Sequence, residues 1–296
     1  MRKTLIAAAI TGLFSIPSAV MAQTAAPAAA PAAAAAAAPA SPHTITGNLM
    51  ITTDYRFRGI TQTFEKPALQ GGIDYSHSSG FYVGNWNSNV SSGAGFPDGN
   101  LEMDFYGGYK ATFGDFGLDV GAIYYYYPGS EARGLGVGAN SGVVNNKELY
   151  IGGTWKFLSA KYSYAVDDYF SLRGVNSVGA STGKSTKGSS YLDLGATYDL
   201  GNGWGINGHV GLLNLENVHN GDYTDWKLGV TKDINGWVFA ASYIDTNADG
   251  KCRGATTYQP YCFTNSNSDV AGVINFGSHT KNAGDSTLVV SVSKSF

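Results

Sequence analysis

Charged side chains in this chain recur two residues apart, with apolar residues between them. Glu102 and Asp104 alternate with Leu101, Met103 and Phe105, and the same spacing runs on to Lys110. In an extended strand a period of two puts alternate side chains on one face. Carboxylates and amines lining such a face do the chemistry of ion selection and solute contact, because rings of side-chain charge set what a pore passes. Alternation places Asp54, Asp74, Glu102, Asp104, Asp119, Glu148, Asp193, Asp199 and Asp225 on the polar face, with Arg56, Lys110, Lys156, Lys161 and Lys227. That excess of acid predicts a mild preference for cations in a lumen. The competing reading is that these groups pair and seal a narrow barrel.

Asp54, Arg56 and Arg58 fall on one face at the end of the first strand candidate. They could form a charged constriction with Glu65 or another loop acid, or an ion-pair network that pins the first loop into the mouth. Asn85, Asn87 and Asn89 are expected to share the lumen face of the third strand, as an amide ladder. Asp245-x-Asn247-x-Asp249-Gly250 matches the first half of a calcium loop, but its twelfth position is Thr256 rather than Glu, so no metal is assigned. Gly134-x-Gly136-x-Gly138 lacks a phosphate-binding context and reads as a flexible loop. A hydrolase would need His beside a nucleophile. His43, His77, His209, His219 and His279 fall instead before the barrel, in a turn, inside a strand and in two loops, so no catalytic residue or cofactor is expected. Cys252 and Cys262, ten apart in a polar segment of an exported chain, are expected to form a local disulfide.

Twelve period-2 segments carry these residues, at about 44–57, 67–75, 80–90, 100–112, 115–127, 146–156, 158–167, 189–199, 204–213, 222–232, 237–245 and 286–296. Every second connection is tight, and the others are long and rich in Gly, Ser, Asn and Asp. A soluble sandwich has no reason to sort its connections this way. An antiparallel transmembrane barrel inserted from the periplasm does, and an even strand count puts both termini on the periplasmic side. Hydrocarbon satisfies no backbone polar group, so only a closed sheet can cross it as strands. Phe81, Phe113, Phe116, Trp155, Phe157, Trp204 and Trp237 beside the short turns are expected to form one aromatic girdle. Tyr55, Tyr124, Tyr126, Tyr164, Trp226 and Tyr243 would form the other.

Arg2 and Lys3, an apolar run from Thr4 to Val20 and the small-residue site at Val20-Met21-Ala22 read as a cleaved signal peptide over residues 1–22. Residues 23–42 are almost entirely Ala and Pro, a periplasmic spacer interrupted by Pro27, Pro31, Pro39 and Pro42. Residues 43–296 then form one outer-membrane barrel. Without Arg2 and Lys3 the chain has 17 basic against 22 acidic side chains, a net −5 with His neutral. Nucleic acid, which demands clustered Lys and Arg, is not an expected partner. The last segment, Leu288-x-Val290-x-Val292-x-Lys294-x-Phe296, ends on an aromatic in register with the apolar face. This looks like the insertion signal that barrel-assembly machinery recognises, with Lys294 a departure that can snorkel at the rim.

Thr53-Asp54-Tyr55-Arg56-Phe57-Arg58-Gly59-Ile60-Thr61-Gln62, Pro67-Ala68-Leu69-Gln70-Gly71-Gly72-Ile73-Asp74-Tyr75 and Gly80-Phe81-Tyr82-Val83-Gly84-Asn85-Trp86 resemble the proteobacterial TorF-type porin family. The ending Val290-Ser291-Val292-Ser293-Lys294-Ser295-Phe296 is similar to that family's. The resemblance implies an outer-membrane barrel of a Gram-negative bacterium, with no substrate attached. The expected function is passive diffusion of small hydrophilic solutes, mildly cation-preferring, with outer-membrane lipid as surroundings; homo-oligomers stay open. The alternatives are a closed structural or surface-binding barrel using its 246–285 loop and, behind it, an outer-membrane hydrolase.

Overall fold

The computed structural model describes residues 41–96, 98–132, 139–264 and 280–296. Twelve antiparallel strands close into one barrel: β1 His43–Thr52, β2 Ala68–His77, β3 Phe81–Asn89, β4 Leu101–Phe113, β5 Phe116–Tyr126, β6 Asn145–Trp155, β7 Leu158–Ala165, β8 Ser190–Gly201, β9 Trp204–Asn214, β10 Tyr223–Ile234, β11 Trp237–Thr246 and β12 Thr287–Ser295. Each pairs with its neighbour in sequence, and β12 returns to β1 with Asn48 opposite Ser295 and Thr52 opposite Ser291. Closure removes the exposed edges that an open sheet would leave. The Phe296 ring completes the seam by lying over Gly47, where a Cβ would stand 2.6 Å from its Cε2. The expected signal peptide, most of the spacer, Gly134, Gly136, Gly138 and His279 lie outside the described residues.

Strand bounds follow the sequence expectation within two residues except in β1, which stops at Thr52 rather than residue 57. The tight connections obey turn chemistry: Asn202-Gly203 and Asn235-Gly236 have positive φ at both residues, the twist that matches flanking strands. The described parts of the six long loops lie at the other end.

Outside, large apolar side chains face away from the protein, with Leu149 54% and Ile151 53% exposed. Phe81, Phe113, Phe116, Trp155, Phe157, Trp204 and Trp237 are all exposed beside the turns. At the loop end Tyr124 stacks on Tyr126 at 5.8 Å between centroids, and Trp226 lies 5.3 Å from Tyr243. An apolar belt between two aromatic rings is a surface for hydrocarbon, not water. Tyr55 is the exception to the expected girdle. It is buried inside the mouth and donates its hydroxyl to Glu102 Oε1 at 3.1 Å.

Cys252 and Cys262 are joined, as expected, in the sixth loop, whose two-stranded ribbon pairs Cys262–Thr264 with Thr280–Asn282.

Candidate functional site: a loop hairpin inside the barrel mouth

After Thr52 the chain turns into the barrel instead of continuing along its wall. The cause is Asp54, whose Oδ1 accepts from Thr61 Oγ1 at 2.6 Å and Thr63 Oγ1 at 2.9 Å, while Oδ2 holds Arg56 Nε at 2.5 Å. Those bonds fold 53–67 back on itself as a short hairpin, Arg56–Phe57 against Ile60–Thr61. Arg56 fastens its base by donating from Nη1 to the carbonyls of Gly59, Ala283 and Asp285 at 3.0–3.1 Å. Arg58 and Gly59 form the tip with φ of 50° and 78°. Glycine is required there on two counts: the positive φ, and a Cβ that would stand 2.7 Å from Asp225 Cβ and collide with Thr246.

The hairpin separates two buried clusters. Tyr55, Trp86, Phe96, Tyr106, Tyr125, Tyr127 and Tyr150 lie on one side with Phe57 against them; Ile60 joins Tyr169, Tyr191, Leu213, Leu215, Tyr223 and Tyr261 on the other. The tip guanidinium goes to the wall. Arg58 Nη2 donates to Glu148 Oε2 at 2.8 Å and Nη1 to Tyr169 Oη at 3.1 Å. Its Cζ lies 4.4 Å from the Tyr191 ring centroid and 4.7 Å from that of Phe57. The charged ends of both partners are sequestered, with side-chain exposures of 6% for Arg58 and 2% for Glu148.

The wall around the hairpin is acidic. Glu102, Asp104, Glu148, Asp193 and Asp225 are buried inward, facing Arg58, Lys161 and Lys227. Glu102 and Asp104 take part in no ion pair among the described residues, and both carboxylate oxygens of Asp104 lack a hydrogen-bond donor there. His209 lies between Asp193 and Asp225, each ring nitrogen 3.5 Å from a carboxylate oxygen. Towards the turns the lining is half-buried: Tyr106 Oη donates to Asp74 at 2.6 Å, Tyr82 Oη donates to Asp119 at 2.6 Å, and Lys110 Nζ stands 4.0 Å from Asp119 and 4.5 Å from the Tyr82 ring. Lys161 Nζ caps the Tyr150 ring at 3.9 Å.

Several expectations change. Asp54 and Arg56 do not line a wall; they build the hairpin that fills the lumen. Arg56 does reach Glu65, at 3.4 Å, but the partner that fixes Arg58 is the wall acid Glu148, not a loop acid. Asn85, Asn87 and Asn89 are on the outer face, because β3 keeps the parity of exposed Phe81 and Val83, and Asn85 is paired with Phe105 of the lipid side. Their amides are satisfied locally: Asn85 donates to the Asp104 carbonyl at 2.9 Å, Asn87 to Asn85 at 2.7 Å, and Asn89 Oδ1 accepts from Leu69 N–H at 2.7 Å. Trp86, between Asn85 and Asn87, takes the inward position and is buried. Lys156 sits in the turn after β6 over the Trp155 ring, and Asp199 caps the Gly201 N–H at the rim. In the half calcium motif, Asn247 Oδ1 is taken by Thr224 N–H and Asp245 Oδ1 by Thr246 N–H.

The fourth loop closes over the hairpin through Asp168. Partial burial alone would raise its pKa, but donors from Ser185, Arg173, Asn140 and the Thr186 N–H hold the carboxyl well below the usual carboxylate range. The loop it pins carries Tyr169 and Phe170. Phe170 has a φ of 47°, a left-handed conformation unfavourable for an aromatic residue, and its ring meets Phe57 at 5.7 Å.

Among solved structures, the chain is similar to the KdgM porin at 10% identity, covering 85% of this chain and 99% of that one with a TM-score of 0.47. It is also similar to the NanC porin (10% identity, 86% and 99% covered, TM-score 0.46) and to OccAB3 of Acinetobacter baumannii (10%, 87% and 65%, TM-score 0.38). No curated protein matches. The model of one family spans residues 36–296, and the chain belongs to that family, the bacterial proteins of unknown function called Gcw_chp.

Proposed function

We propose that this chain is an outer-membrane barrel of a Gram-negative bacterium that passes small hydrophilic solutes, with a mild cation preference, when the first-loop hairpin leaves the lumen. The observation that carries the reading is the division of labour inside the barrel. The permanent wall is polar and rich in carboxylates, whereas what closes the mouth is a loop. Buried carboxylate oxygens without donors are costly, as at Asp104 among the described residues, and water and cations entering a lumen relieve that cost. Asp74, Glu102, Asp104, Lys110, Asp119, Glu148, Lys161, Asp193 and Lys227 are the side chains a solute would meet. The apolar belt and aromatic rings support membrane insertion, with the short turns and termini facing the periplasm. Phe296, exposed and paired through its backbone to Gly47, fits a signal read by the assembly machinery. The TorF-type resemblance agrees with this reading, which needs export by a signal peptide over residues 1–22.

A second reading has its own observation. The Asp54–Arg56 and Arg58–Glu148 pairs, flanked by aromatic clusters, suit a permanently closed barrel that works through its loops. Planar-bilayer recording of the refolded barrel under a salt gradient separates the two. Discrete steps with a cation-shifted reversal potential support the channel. Silence from a demonstrably folded barrel supports the closed one.

A further inference from the structure

The group that Arg58 occupies is built almost wholly by parts of the protein other than the hairpin. Glu148 belongs to β6, Tyr191 to β8 and Tyr169 to the fourth loop; only Phe57 travels with the tip. The fixed parts are held independently of Arg58. Asn146 Nδ2 donates to Glu148 Oε1 at 3.0 Å, leaving Oε2 aimed at the guanidinium. Tyr191 Oη donates to Asp225 Oδ2 at 2.9 Å, which sets the ring that the guanidinium faces at 4.4 Å. Tyr169 is anchored through its N–H to Thr186 Oγ1 at 2.9 Å. A carboxylate in the plane and an aromatic ring over the face are the two features that select a planar guanidinium over a compact ammonium.

We propose that Glu148, Tyr169 and Tyr191 form a binding site for small organic cations of the guanidinium class, which Arg58 fills as a tethered ligand while the hairpin is in the lumen. Local charge points the same way from a separate observation. Among the described residues both oxygens of Asp104 are buried without donors, so the wall near Arg58 keeps acceptor oxygens that the hairpin does not satisfy. A tethered ligand at a hairpin tip gives a two-state element: a free guanidinium that takes the cage releases the tip, and the tip returning expels the solute. The proposal rests on the reading of the lumen as a solute path, yet binding is measurable without current.

The test uses the refolded barrel in detergent, with methylguanidinium, methylammonium and urea as probes at millimolar concentration. Arg58→Ala should lower the thermal midpoint, and methylguanidinium should restore it, methylammonium much less and urea not at all. In the Arg58→Ala/Glu148→Gln double variant that restoration should vanish. Equal responses to the three probes, or restoration that survives Glu148→Gln, would overturn the site. Should Arg58→Ala not fold, the wild-type barrel serves: agmatine should compete with Arg58 and speed amide exchange across residues 56–61, and unchanged exchange would overturn the proposal. A barrel that binds methylguanidinium but carries no current retains the site and loses the channel. One that conducts without preferring guanidinium loses only the site.

Discussion

Arg58 and Glu148 form a buried ion pair, and its energetics bear on the proposed release of the hairpin. Desolvating both groups costs much of what their attraction returns, whereas removing one partner strands the other at a cost of about 3–5 kcal/mol. In Glu148→Ala the hairpin escapes that penalty by leaving the lumen, so amide exchange over residues 56–61 should accelerate sharply while the barrel strands stay protected. Asp168 predicts a pH dependence for the fourth loop. Its folded pKa is depressed, so its stabilisation is complete above the unfolded carboxylate value of about 3.9 and is lost as pH falls from there through the folded pKa. Protection factors of the Tyr169 and Thr186 amides should therefore be flat between neutrality and about pH 5 and fall only in stronger acid, and Asp168→Asn should lower them at every pH. The charged triplet Asp54, Arg56 and Arg58 was legible in the sequence as a constriction or a pinned loop. The partners of Arg58 were not, because Glu148 and Tyr169 lie 90 and 111 residues away and no local spacing encodes that reach.

At the scale of elements, alternation and turn chemistry located the strands well, since each strand must hide its polar side chains from lipid on a strict period of two. Alternation misled where polarity and parity disagreed. Asn85, Asn87 and Asn89 look like lumen residues by type, but β3 inherits its outward parity from Phe81 and Val83, and the backbone carbonyls of Asp104 and Pro67 satisfy two of the amides. It misled again in β1, where capping by Thr61 and Thr63 draws Asp54 inward and ends the strand early. The sixth loop holds the hairpin base through the Ala283 and Asp285 carbonyls, which lie beyond the Cys262–Thr264 ribbon rather than within the disulfide-closed segment. Reducing Cys252–Cys262 should cost that segment roughly 3 kcal/mol, seen as faster exchange between residues 252 and 262. Current through the barrel should not change.

For the whole molecule, the two faces of one sheet differ in kind: large apolar side chains outward, charged side chains inward. Ile151, exposed in the middle of the β6 outer face, should tolerate no charge: Ile151→Arg is expected to destabilise the membrane-folded barrel by about 2–4 kcal/mol, measured by denaturant titration in lipid vesicles, while an inward substitution such as Asp119→Asn should leave that stability nearly unchanged and, on the proposed function, shift the reversal potential instead. If the first-loop hairpin limits flow, freeing its tip must change the current. Single-channel recording of the wild-type and Arg58→Ala barrels, in one planar bilayer system under one salt gradient, tests it most directly. Small or infrequent steps are expected from the wild type, and larger or longer-lived steps with a stronger cation preference once the guanidinium is gone. Identical records from the two folded proteins would contradict it.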